Sequence, residues 1–442
     1  MPKKLLSLAL ALFFIMTSAV FAFALEKPTD IISEAWCVMD ARTGQLLIGG
    51  AADKKMEPAS ITKVLTCALA LEVLNPDSDY TFSAEAASYD LGSTHLAFTE
   101  GETCKVRDLL YGAMVESAND CAMGLADAVS GSQLEFVRLM NQKLAELGCK
   151  NSHFANACGM PDPNHYTTAR DMALITKYAM SVEGFMTYFD AWEWTIPATN
   201  KNTERHFGTH HSMIVGSENN AYYGYDYAIG GKLGWTEEAK HTAVTAADNG
   251  TMRLICVVLK SGNKYAKYKD SIKLLDYCFE NFYPVEIPAT VPKKEVTVTD
   301  GGEPYGKLTV HPLASVTLLM TDGMEASDVS CKTNLTDSCE LSEVSDLAVV
   351  VSFSKKSDAM ETEPFSLSPE YHIVKRSSVV ESEGALEEKE EDEKEFRWWI
   401  FLLIPLGIIL FFTVVILLIR AYNIHKYKKQ RRHRHYKQLN QR

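Results

Sequence analysis

The sequence has no pair of cysteines at the C-x-x-C spacing, although it contains ten cysteines in 442 residues. Structural zinc sites usually take their thiolates from such close pairs, so the absence argues against a metal site. Most of the cysteines lie within apolar runs, where a free thiol behaves as a small apolar side chain, as at Cys37, Cys67 and Cys256. Cys331 and Cys339 form the one plausible local disulfide. We expect mostly free thiols, no metal ion and no organic cofactor.

The chain also has no excess of basic residues: its net charge is −13 at pH 7. The segment 420–442 nevertheless holds nine Lys and Arg residues and no acid, so the rest of the chain is more acidic than the total. An acidic body of this kind should not bind nucleic acid. The basic segment could bind RNA in principle, but a segment beside a membrane more often contacts anionic lipid.

The N-terminal apolar run is typical of a secretory signal. Lys3 and Lys4 precede the run from Leu5 to Phe21, and Ala22-Phe23-Ala24 provides small residues around a cleavage point. We predict a signal peptide over 1–24; an uncleaved anchor is the alternative.

The C-terminal apolar run, Trp398–Ile419, is long enough to cross a hydrocarbon layer about 30 Å thick. An acidic linker (376–397) precedes the run and the basic segment (420–442) follows it. By the positive-inside rule, the basic tail lies in the cytoplasm and the bulk of the chain lies outside. We therefore predict a single-pass membrane protein with a transmembrane helix over 398–419.

The chain between these ends is too long for one small core, so we predict two domains. Residues 25–283 alternate strand and helix patterns, with a hairpin formed by 35–39 and 45–48 and helices over 63–74, 106–129 and 133–147. Residues 284–375 have short runs rich in β-branched residues and form a β-rich domain without a catalytic cluster. The fold class is α+β.

Three short motifs carry the candidate chemistry: Ser60-Ile-Thr-Lys63, Ser117-Ala-Asn119 and Lys232-Leu-Gly234. A serine hydroxyl needs a base to become a nucleophile, and residues three apart near a helix start share a face. Lys63 acts as that base only if burial or a neighbouring cation lowers its pKa. Ser117 would relay the proton, Asn119 would hold a substrate amide, and Lys232 would face a substrate carboxylate.

Each motif alone is weak evidence, because similar spacings recur elsewhere. Ser-x-x-Lys occurs again at Ser261 and at Ser352, Ser-x-Asn at Ser217, and Lys-x-Gly at Lys260. Order and context distinguish the first set. Ser60 opens an apolar helix directly after a hairpin, and Lys232 lies in a glycine-rich strand.

Four stretches give the chain a family resemblance. They are Glu57-Pro-Ala-Ser-Ile-Thr-Lys63, Glu116-Ser-Ala-Asn-Asp120, Gly230-Gly-Lys-Leu-Gly-Trp-Thr-Glu-Glu-Ala239, and Asn151-Ser-His-Phe-Ala-Asn-Ala-Cys-Gly-Met160 with His165-Tyr-Thr-Thr-Ala-Arg-Asp-Met172. In these stretches the chain resembles the serine D-alanyl-D-alanine carboxypeptidases, the low-molecular-weight penicillin-binding proteins. The last stretch has no obvious chemistry of its own, yet it is the most specific to the family.

The resemblance implies a β-lactamase/transpeptidase-like fold, an antiparallel sheet flanked by helices, with a β-rich second domain. It implies a bacterial cell-membrane enzyme that acts on peptidoglycan stem peptides and is acylated by β-lactam antibiotics. The implied catalytic residues are Ser60 as acylated nucleophile, Lys63 as general base and Ser117 as proton relay. The implied substrate-binding residues are Asn119, Lys232, Gly234, Trp235 and Thr236, and the backbone N–H groups of Ser60 and Trp235 form the oxyanion hole.

Two features depart from the family pattern. The third motif is usually Lys-Thr-Gly, and here Leu233 replaces the threonine. Losing a hydrogen bond to a charged group costs about 1.5–3 kcal/mol, so we expect weakened rather than abolished activity, with Thr236 nearby. The membrane-spanning anchor also differs from the amphipathic helix of many relatives.

Other functions fit the residues less well or remain open. A β-lactamase would need a deacylating glutamate, and no Glu-x-x-Leu-Asn loop is found. A transpeptidase or endopeptidase would use the same residues, and a weakly active sensor of muropeptides or β-lactams would suit Leu233 and the unusual tail. A purely structural envelope protein would leave the ordered motifs to chance. We interpret His153, His165, His241, Asp120 and Asp171 as structural rather than catalytic.

Overall fold

The computed structural model describes residues 28–88, 92–215, 222–287, 294–310, 316–321, 329–334, 338–340, 349–355, 365–367 and 371–375. The predicted signal peptide, acidic linker, membrane helix and basic tail all lie outside these residues. Within them, no helix has the length and apolar character needed to cross a membrane.

A five-stranded antiparallel sheet forms the centre of the N-terminal part. Its strands are β1 (Ala35–Asp40), β2 (Leu46–Gly50), β7 (Ala228–Thr236), β8 (Lys240–Asp248) and β9 (Arg253–Ser261), in the order β2-β1-β9-β8-β7. The predicted hairpin is confirmed, with Val38 opposite Ile48 and a bulge beyond that pair. Strand β7 lies at the edge of the sheet, so one side of its backbone has no strand partner there.

Within the described residues, seven α-helices accompany this sheet. They are α1 (Lys63–Val73), α2 (Val106–Tyr111), α3 (Asn119–Ser130), α4 (Gln133–Glu146), α5 (Ala169–Ser181), α6 (Phe185–Phe189) and α7 (Ala266–Asn281). Short two-stranded ribbons pair β3 (Asp79–Thr81) with β4 (Thr103–Lys105), and β5 (Glu193–Ile196) with β6 (Arg205–Gly208). The sequence pattern indicated neither ribbon.

Each face of the sheet packs into its own core, because alternate side chains of a strand point to opposite faces. Cys37 and Met39 of β1 belong to a large cluster that includes residues of α1, α3, α4 and α5. Trp36 and Val38 belong to a second cluster with residues of α7, which we call the outer cluster. Helices therefore cover both faces of the sheet.

The helix predicted over 106–129 is wrong as a single element, because the structure breaks it in the middle. Helix α2 passes into one wide turn, Gly112–Glu116, and Ser117 then takes a left-handed conformation with φ 71°. Helix α3 starts afresh at Asn119. Apolar periodicity continues across the break, so the sequence pattern gave no sign of it.

The C-terminal part of the described chain is made of strands. They are β10 (Phe282–Ile287), β11 (Lys294–Asp300), β12 (Glu303–Val310), β13 (Val316–Thr321), β14 (Val329–Asn334), β15 (Ser338–Glu340), β16 (Val349–Lys355), β17 (Phe365–Leu367) and β18 (Tyr371–Lys375). Strand β10 follows α7 directly and pairs antiparallel with β13. The buried Gln45 side chain bonds both backbone groups of Leu319 on β13, through Nε2 (2.6 Å) and Oε1 (2.9 Å).

Candidate active site

Ser60 lies in a single 3-10 turn, Ala59–Thr62, that leads directly into α1. Ala59 before it has a positive φ of 53°, which is unusual for a residue with a side chain. The turn is held from outside, because the Thr242 hydroxyl on β8 donates a 2.8 Å hydrogen bond to the Pro58 carbonyl. This 3-10 turn, which we call the nucleophile turn, therefore fixes the half-buried Ser60 against the edge of the sheet.

Lys63 is fully buried, and its ammonium group has three acceptors. Its Nζ atom lies 2.9 Å from Ser60 Oγ, 2.7 Å from Asn119 Oδ1 and 2.7 Å from the Cys158 carbonyl oxygen. Burial lowers the pKa of Lys63 to about 8, because the interior disfavours the charged form. The sequence allowed burial or a neighbouring cation as the cause of such a shift, and the cause is burial.

The second motif faces the first from the helical side of the site. The interruption between helices α2 and α3 directs Ser117 into the cleft. The Ser117 hydroxyl makes no hydrogen bond to any described residue. Asn119 is buried at the start of α3, where its side-chain oxygen holds Lys63. Its backbone N–H also donates to the Thr94 carbonyl at 2.8 Å, which fixes the start of the helix.

The third motif lies on the edge strand β7, beside the nucleophile turn. Gly234 allows this approach: a Cβ atom there would lie 2.8 Å from the Ser60 nitrogen and 2.4 Å from Thr242 Oγ1. Lys232 is 3% exposed, and its Nζ atom donates to the carbonyl of its neighbour Leu233 at 3.1 Å. Burial, with the nearby charge of Lys63, holds the pKa of Lys232 well below its usual value.

The other β7 residues considered in the sequence analysis, Leu233, Trp235 and Thr236, differ in whether they line the cleft. Leu233 lines the cleft and is also packed against the outer cluster, while the Trp235 side chain is 54% exposed at the cleft wall. The Thr236 hydroxyl accepts a 3.0 Å hydrogen bond from the Ala239 N–H in the β7–β8 turn. Thr236 does not line the cleft, so its hydroxyl does not stand in for the one missing at position 233.

The family-specific stretch 151–172 supports the nucleophile turn. Asn156 Oδ1 accepts from the N–H groups of Gly159 (2.7 Å) and Met160 (3.0 Å), which shapes the loop that presents the Cys158 carbonyl to Lys63. Gly159 has φ 87°, and a Cβ atom there would lie only 2.0 Å from the Ala59 carbonyl oxygen. The stretch 151–172 has no catalytic side chain of its own, but it positions Lys63 and the nucleophile turn.

His165 also holds the nucleophile turn in place. Its Nδ1 atom accepts from the Ala155 N–H at 3.0 Å, so the proton lies on Nε2, which donates to Thr62 Oγ1 at 2.8 Å. Burial lowers the pKa of His165 to about 4, so it is neutral at neutral pH. Asp120 likewise accepts backbone bonds from Leu96 and Phe98, in keeping with the structural interpretation of both residues.

Two residues that line the cleft, Lys267 and Glu116, had no role assigned from the sequence. Lys267 is 6% exposed at the start of α7, and its Nζ atom makes no hydrogen bond to a described residue. Burial lowers the pKa of Lys267 to about 8. Glu116 faces the cleft as well, and burial raises its pKa.

These residues line a cleft with a volume of about 250 Å³ between β7 and the helices. The structure brings together Ser60, Lys63, Ser117, Asn119, Lys232 and Gly234, which are spread over 175 positions of sequence. The rival Ser-x-x-Lys at Ser261 does not form such a pair, because the Ser261 hydroxyl is buried with no hydrogen-bond partner among the described residues. Those residues also contain no cluster of acidic, His or Cys side chains that could hold a metal ion.

Comparison with known proteins gives matches over most of the predicted catalytic domain. The model of the D-alanyl-D-alanine carboxypeptidase family matches residues 22–263. The chain is 29% identical to the D-alanyl-D-alanine carboxypeptidase DacF of Bacillus subtilis, over 76% of this chain and 86% of the relative. It is 30% identical to DacC of Escherichia coli, over 66% of this chain and 73% of the relative.

Solved structures give the same result. The D-alanyl-D-alanine carboxypeptidase of Mycobacterium tuberculosis is 27% identical, with a TM-score of 0.53 over 59% of this chain and 95% of that one. Penicillin-binding protein 5 of Haemophilus influenzae, at 23% identity, has a TM-score of 0.59 over 78% of this chain and 98% of that one, and shows the fold alone.

An antiparallel sheet covered by helices, with a paired serine and lysine at its edge, defines a serine hydrolase of the penicillin-binding fold. Within that class, the chain belongs to the D-alanyl-D-alanine carboxypeptidase family.

Proposed function

We propose that this protein removes the terminal D-alanine from peptidoglycan stem peptides through an acyl-enzyme on Ser60, and that β-lactams acylate the same serine. The observation that carries the proposal is the geometry of the Lys63 amine. Asn119 Oδ1 and the Cys158 carbonyl each accept one of its N–H bonds. When Lys63 is neutral, its lone pair therefore points along the third direction, toward Ser60 Oγ at 2.9 Å.

Acylation follows from this arrangement. Ser60 Oγ attacks the carbonyl carbon of the penultimate residue while Lys63 takes the hydroxyl proton. Negative charge develops on the carbonyl oxygen, and the N–H groups of Ser60 and Trp235 would stabilise it. Strand β7 is an edge strand, so its outward N–H groups are available for this role. Ser117, whose hydroxyl is free to reorient, passes the proton to the departing amine.

The cationic end of the cleft would bind the substrate carboxylate. Lys232 and Lys267 both line it and both are nearly buried. A carboxylate placed between them would stabilise their charged forms, since an opposite charge raises a lysine pKa. The site would therefore prefer a peptide that ends in a free carboxylate. Water then hydrolyses the ester, with Lys63 again acting as base.

We also propose a location for the enzyme. The predicted signal peptide and the apolar run 398–419 support a single-pass protein of the bacterial cell membrane with its catalytic part outside and its basic tail in the cytoplasm. The β-rich residues 284–375 would form a second domain between the catalytic part and the membrane.

Mass spectrometry tests the activity directly. The detergent-solubilised chain is incubated with a peptide that ends in D-Ala-D-Ala, beside the variants Ser60→Ala and Ser261→Ala. We expect loss of one alanine with the natural protein and with Ser261→Ala, which changes the rival motif, but not with Ser60→Ala. No loss with the natural protein at high enzyme concentration would contradict the proposal and favour a sensor.

A further inference from the structure

A second pocket lies away from the cleft, where the β1–β2 turn, the end of α5 and the β8–β9 turn meet strand β13. Its volume is about 390 Å³, and it shares no lining residue with the cleft. We call it the junction pocket, and its lining includes Arg42, Lys177, Met180, Asp248, Arg253 and Leu319.

The junction pocket and the cleft lie at opposite ends of one strand. His241 near the start of β8 lines the cleft, whereas Asp248 at the end of β8 lines the junction pocket. At about 3.3 Å per residue, these two positions are about 23 Å apart. A ligand in the junction pocket would therefore leave the cleft open.

Three cationic side chains line the junction pocket: Arg42, Lys177 and Arg253. They are grouped there in a chain whose net charge is −13. The half-buried Lys177 ammonium makes no hydrogen bond and no ion pair within 4 Å to a described residue. Burial lowers the pKa of Lys177, and the nearby charge of Asp40 opposes this only in part. A charged Lys177 therefore has room for an acceptor that the described chain does not supply.

The acidic side chains of the junction pocket already have donors in their own turns. Asp40 is buried, and its Oδ2 atom accepts from the Thr43 N–H at 3.1 Å and from the Thr43 hydroxyl at 2.6 Å. Asp248 accepts from the Gly250 N–H at 2.7 Å and from Arg253 Nε at 2.9 Å. The unused hydrogen-bonding capacity of the pocket therefore lies on donors, which favours an anion as the ligand.

Both arginines are held in place and still have N–H groups for a ligand. Arg42 donates from Nη2 to the Thr317 carbonyl on β13 at 2.9 Å, and Arg253 uses Nε for Asp248. A guanidinium has five N–H donors, so most of them remain. Arginine binds phosphate through two parallel hydrogen bonds, and lysine binds it as a point charge. A tetrahedral phosphate can accept from three side chains in different directions, whereas a planar carboxylate presents two oxygens.

We propose that the junction pocket binds a phosphate ester, with the phosphate group held by Arg42, Lys177 and Arg253. Its small organic substituent would lie against Met180 and Leu319, which belong to the apolar part of the lining. The same chemistry is carried by a free phosphate ester and by the headgroup of an anionic lipid. The inference goes beyond the proposed function, because it uses neither Ser60 nor the cleft.

A bound phosphate ester would contact both the N-terminal part and β13. Arg42 already joins the β1–β2 turn to β13, and Gln45 bonds both backbone groups of Leu319 beside it. A ligand that binds the folded chain and not the unfolded chain stabilises the fold by mass action. The ester should therefore raise the Tm, while the rate of D-alanine release should not change.

Isothermal titration calorimetry tests the site on the detergent-solubilised full chain. The buffer contains no phosphate and about 0.15 M salt, which screens exposed charges beyond about 8 Å. One probe is glycerol 3-phosphate, a free phosphate ester. The second is glycerophosphoglycerol, the headgroup of phosphatidylglycerol without its acyl chains. Succinate is the carboxylate probe.

The variant is the double substitution Lys177→Met with Arg253→Gln. The matched control is Lys269→Met with Arg138→Gln, which removes the same charge from two exposed side chains that do not line the junction pocket. Acylation by a fluorescent penicillin reports whether each protein is folded. If the double variant is not acylated, Lys177→Met alone gives the comparison.

We expect saturable binding of at least one phosphate ester by the natural protein, with a rise in Tm. Each hydrogen bond to a charged group contributes about ten- to a hundredfold, so the double variant should bind about a hundredfold more weakly or worse. Lys177→Met alone should lose about tenfold by the same relation. The control should stay within about twofold, because screened surface charges contribute little. Tighter binding of glycerophosphoglycerol would assign the site to a lipid headgroup, and tighter binding of glycerol 3-phosphate to a free ester.

Three results would overturn the inference. They are no binding of either ester by the natural protein, succinate binding as tight as that of the esters, and equal affinity of the natural protein and the double variant. Each of them would leave the proposed function intact, because release of D-alanine by the natural protein and its loss in Ser60→Ala are measured separately.

Discussion

The two ends of the catalytic cleft differ in how their polar groups are satisfied. At the nucleophile end, Lys63 has three acceptors within 2.9 Å, and His165 uses both ring nitrogens. At the cationic end, Lys232 bonds only a neighbouring carbonyl. The Nδ1 atoms of His211 and His241 are buried there without hydrogen-bond partners among the described residues.

The difference shows which half of the site is complete before substrate arrives. Buried polar groups without partners are costly, so a protein retains them where a ligand supplies the partner. The nucleophile end is fixed in advance, which keeps Ser60 and Lys63 in register for proton transfer. The cationic end is completed by the substrate carboxylate, and this explains why selectivity would reside there.

The strongest test of the nucleophile end is Lys63→Met, which removes the base and keeps most of the side-chain volume. We expect kcat/KM for D-alanine release to fall by about 10²–10⁴, the usual contribution of general base catalysis. Acylation by fluorescent penicillin should fall in parallel. The control is Lys269→Met, an exposed lysine on α7, which should retain full activity. Normal acylation of Lys63→Met would mean that another group takes the proton.

Gly234→Ala tests whether the two ends depend on one close approach. The added methyl group would meet the Ser60 nitrogen at 2.8 Å, so β7 must move away from the nucleophile turn. Since a displacement of about 1 Å can cost about 10²-fold, we expect a loss of that size in the acylation rate. Gly208→Ala is the control, because its methyl group would meet only the Trp192 carbonyl at 3.4 Å. Unchanged acylation in Gly234→Ala would show that the contact is not limiting.

Lys267→Met should affect the cationic end alone. Loss of a charged hydrogen bond costs about 1.5–3 kcal/mol, so kcat/KM should fall about ten- to a hundredfold. We expect the loss in KM for peptides with a free carboxylate, while a peptide with an amidated C-terminus should show little change. An equal loss with both peptides would assign Lys267 a structural role.

The pH profile should reflect the nucleophile end. Lys63 is the base only when neutral, and burial lowers its pKa to about 8. Below that pH the neutral fraction falls about tenfold per unit, so kcat/KM should rise with pH up to about 8. Above about 8 it should fall again, because Lys267, whose pKa is also about 8, loses the charge that binds the substrate carboxylate. Rates of penicillin acylation from pH 5.5 to 9 measure this limb. A profile that is flat across this range would contradict the assignment of Lys63.

Leu233→Thr should give the smallest effect and, unlike the others, a gain. The added hydroxyl would offer one hydrogen bond to the substrate carboxylate, so we expect roughly tenfold higher kcat/KM. Leu233 also packs against the outer cluster, so the variant should lose about 1 kcal/mol of stability. Leu233→Val is the control, because valine has nearly the shape of threonine but no hydroxyl, and this variant should show no gain. A gain of more than about a hundredfold, above what one hydrogen bond to a charged group supplies, would instead indicate that the natural site is degenerate and would favour the sensor.

The sequence predicted the elements whose patterns are local. The hairpin of β1 and β2 and the helices α1 and α4 follow from alternation or helical periodicity close to the chain positions predicted. The two short ribbons were missed, because each depends on pairing between strands that are separated in sequence. Helix α5 was missed although it has a local start signal, the Thr168 side chain that accepts from the Asp171 N–H. The break at Ser117 was missed because its flanking residues favour a helix on both sides.

The site residues divide in the same manner. Residue types and spacing by themselves determined the motifs at Ser60, Ser117 and Lys232, because a serine, a lysine three residues later and a glycine-flanked lysine leave a local signature. Only the tertiary structure decided that the Cys158 carbonyl and Asn119 hold Lys63, and that Lys267 joins Lys232. Burial and hydrogen bonding between segments up to about 200 residues apart determine those contacts and the lowered pKa of Lys63, and no local pattern encodes such a distance.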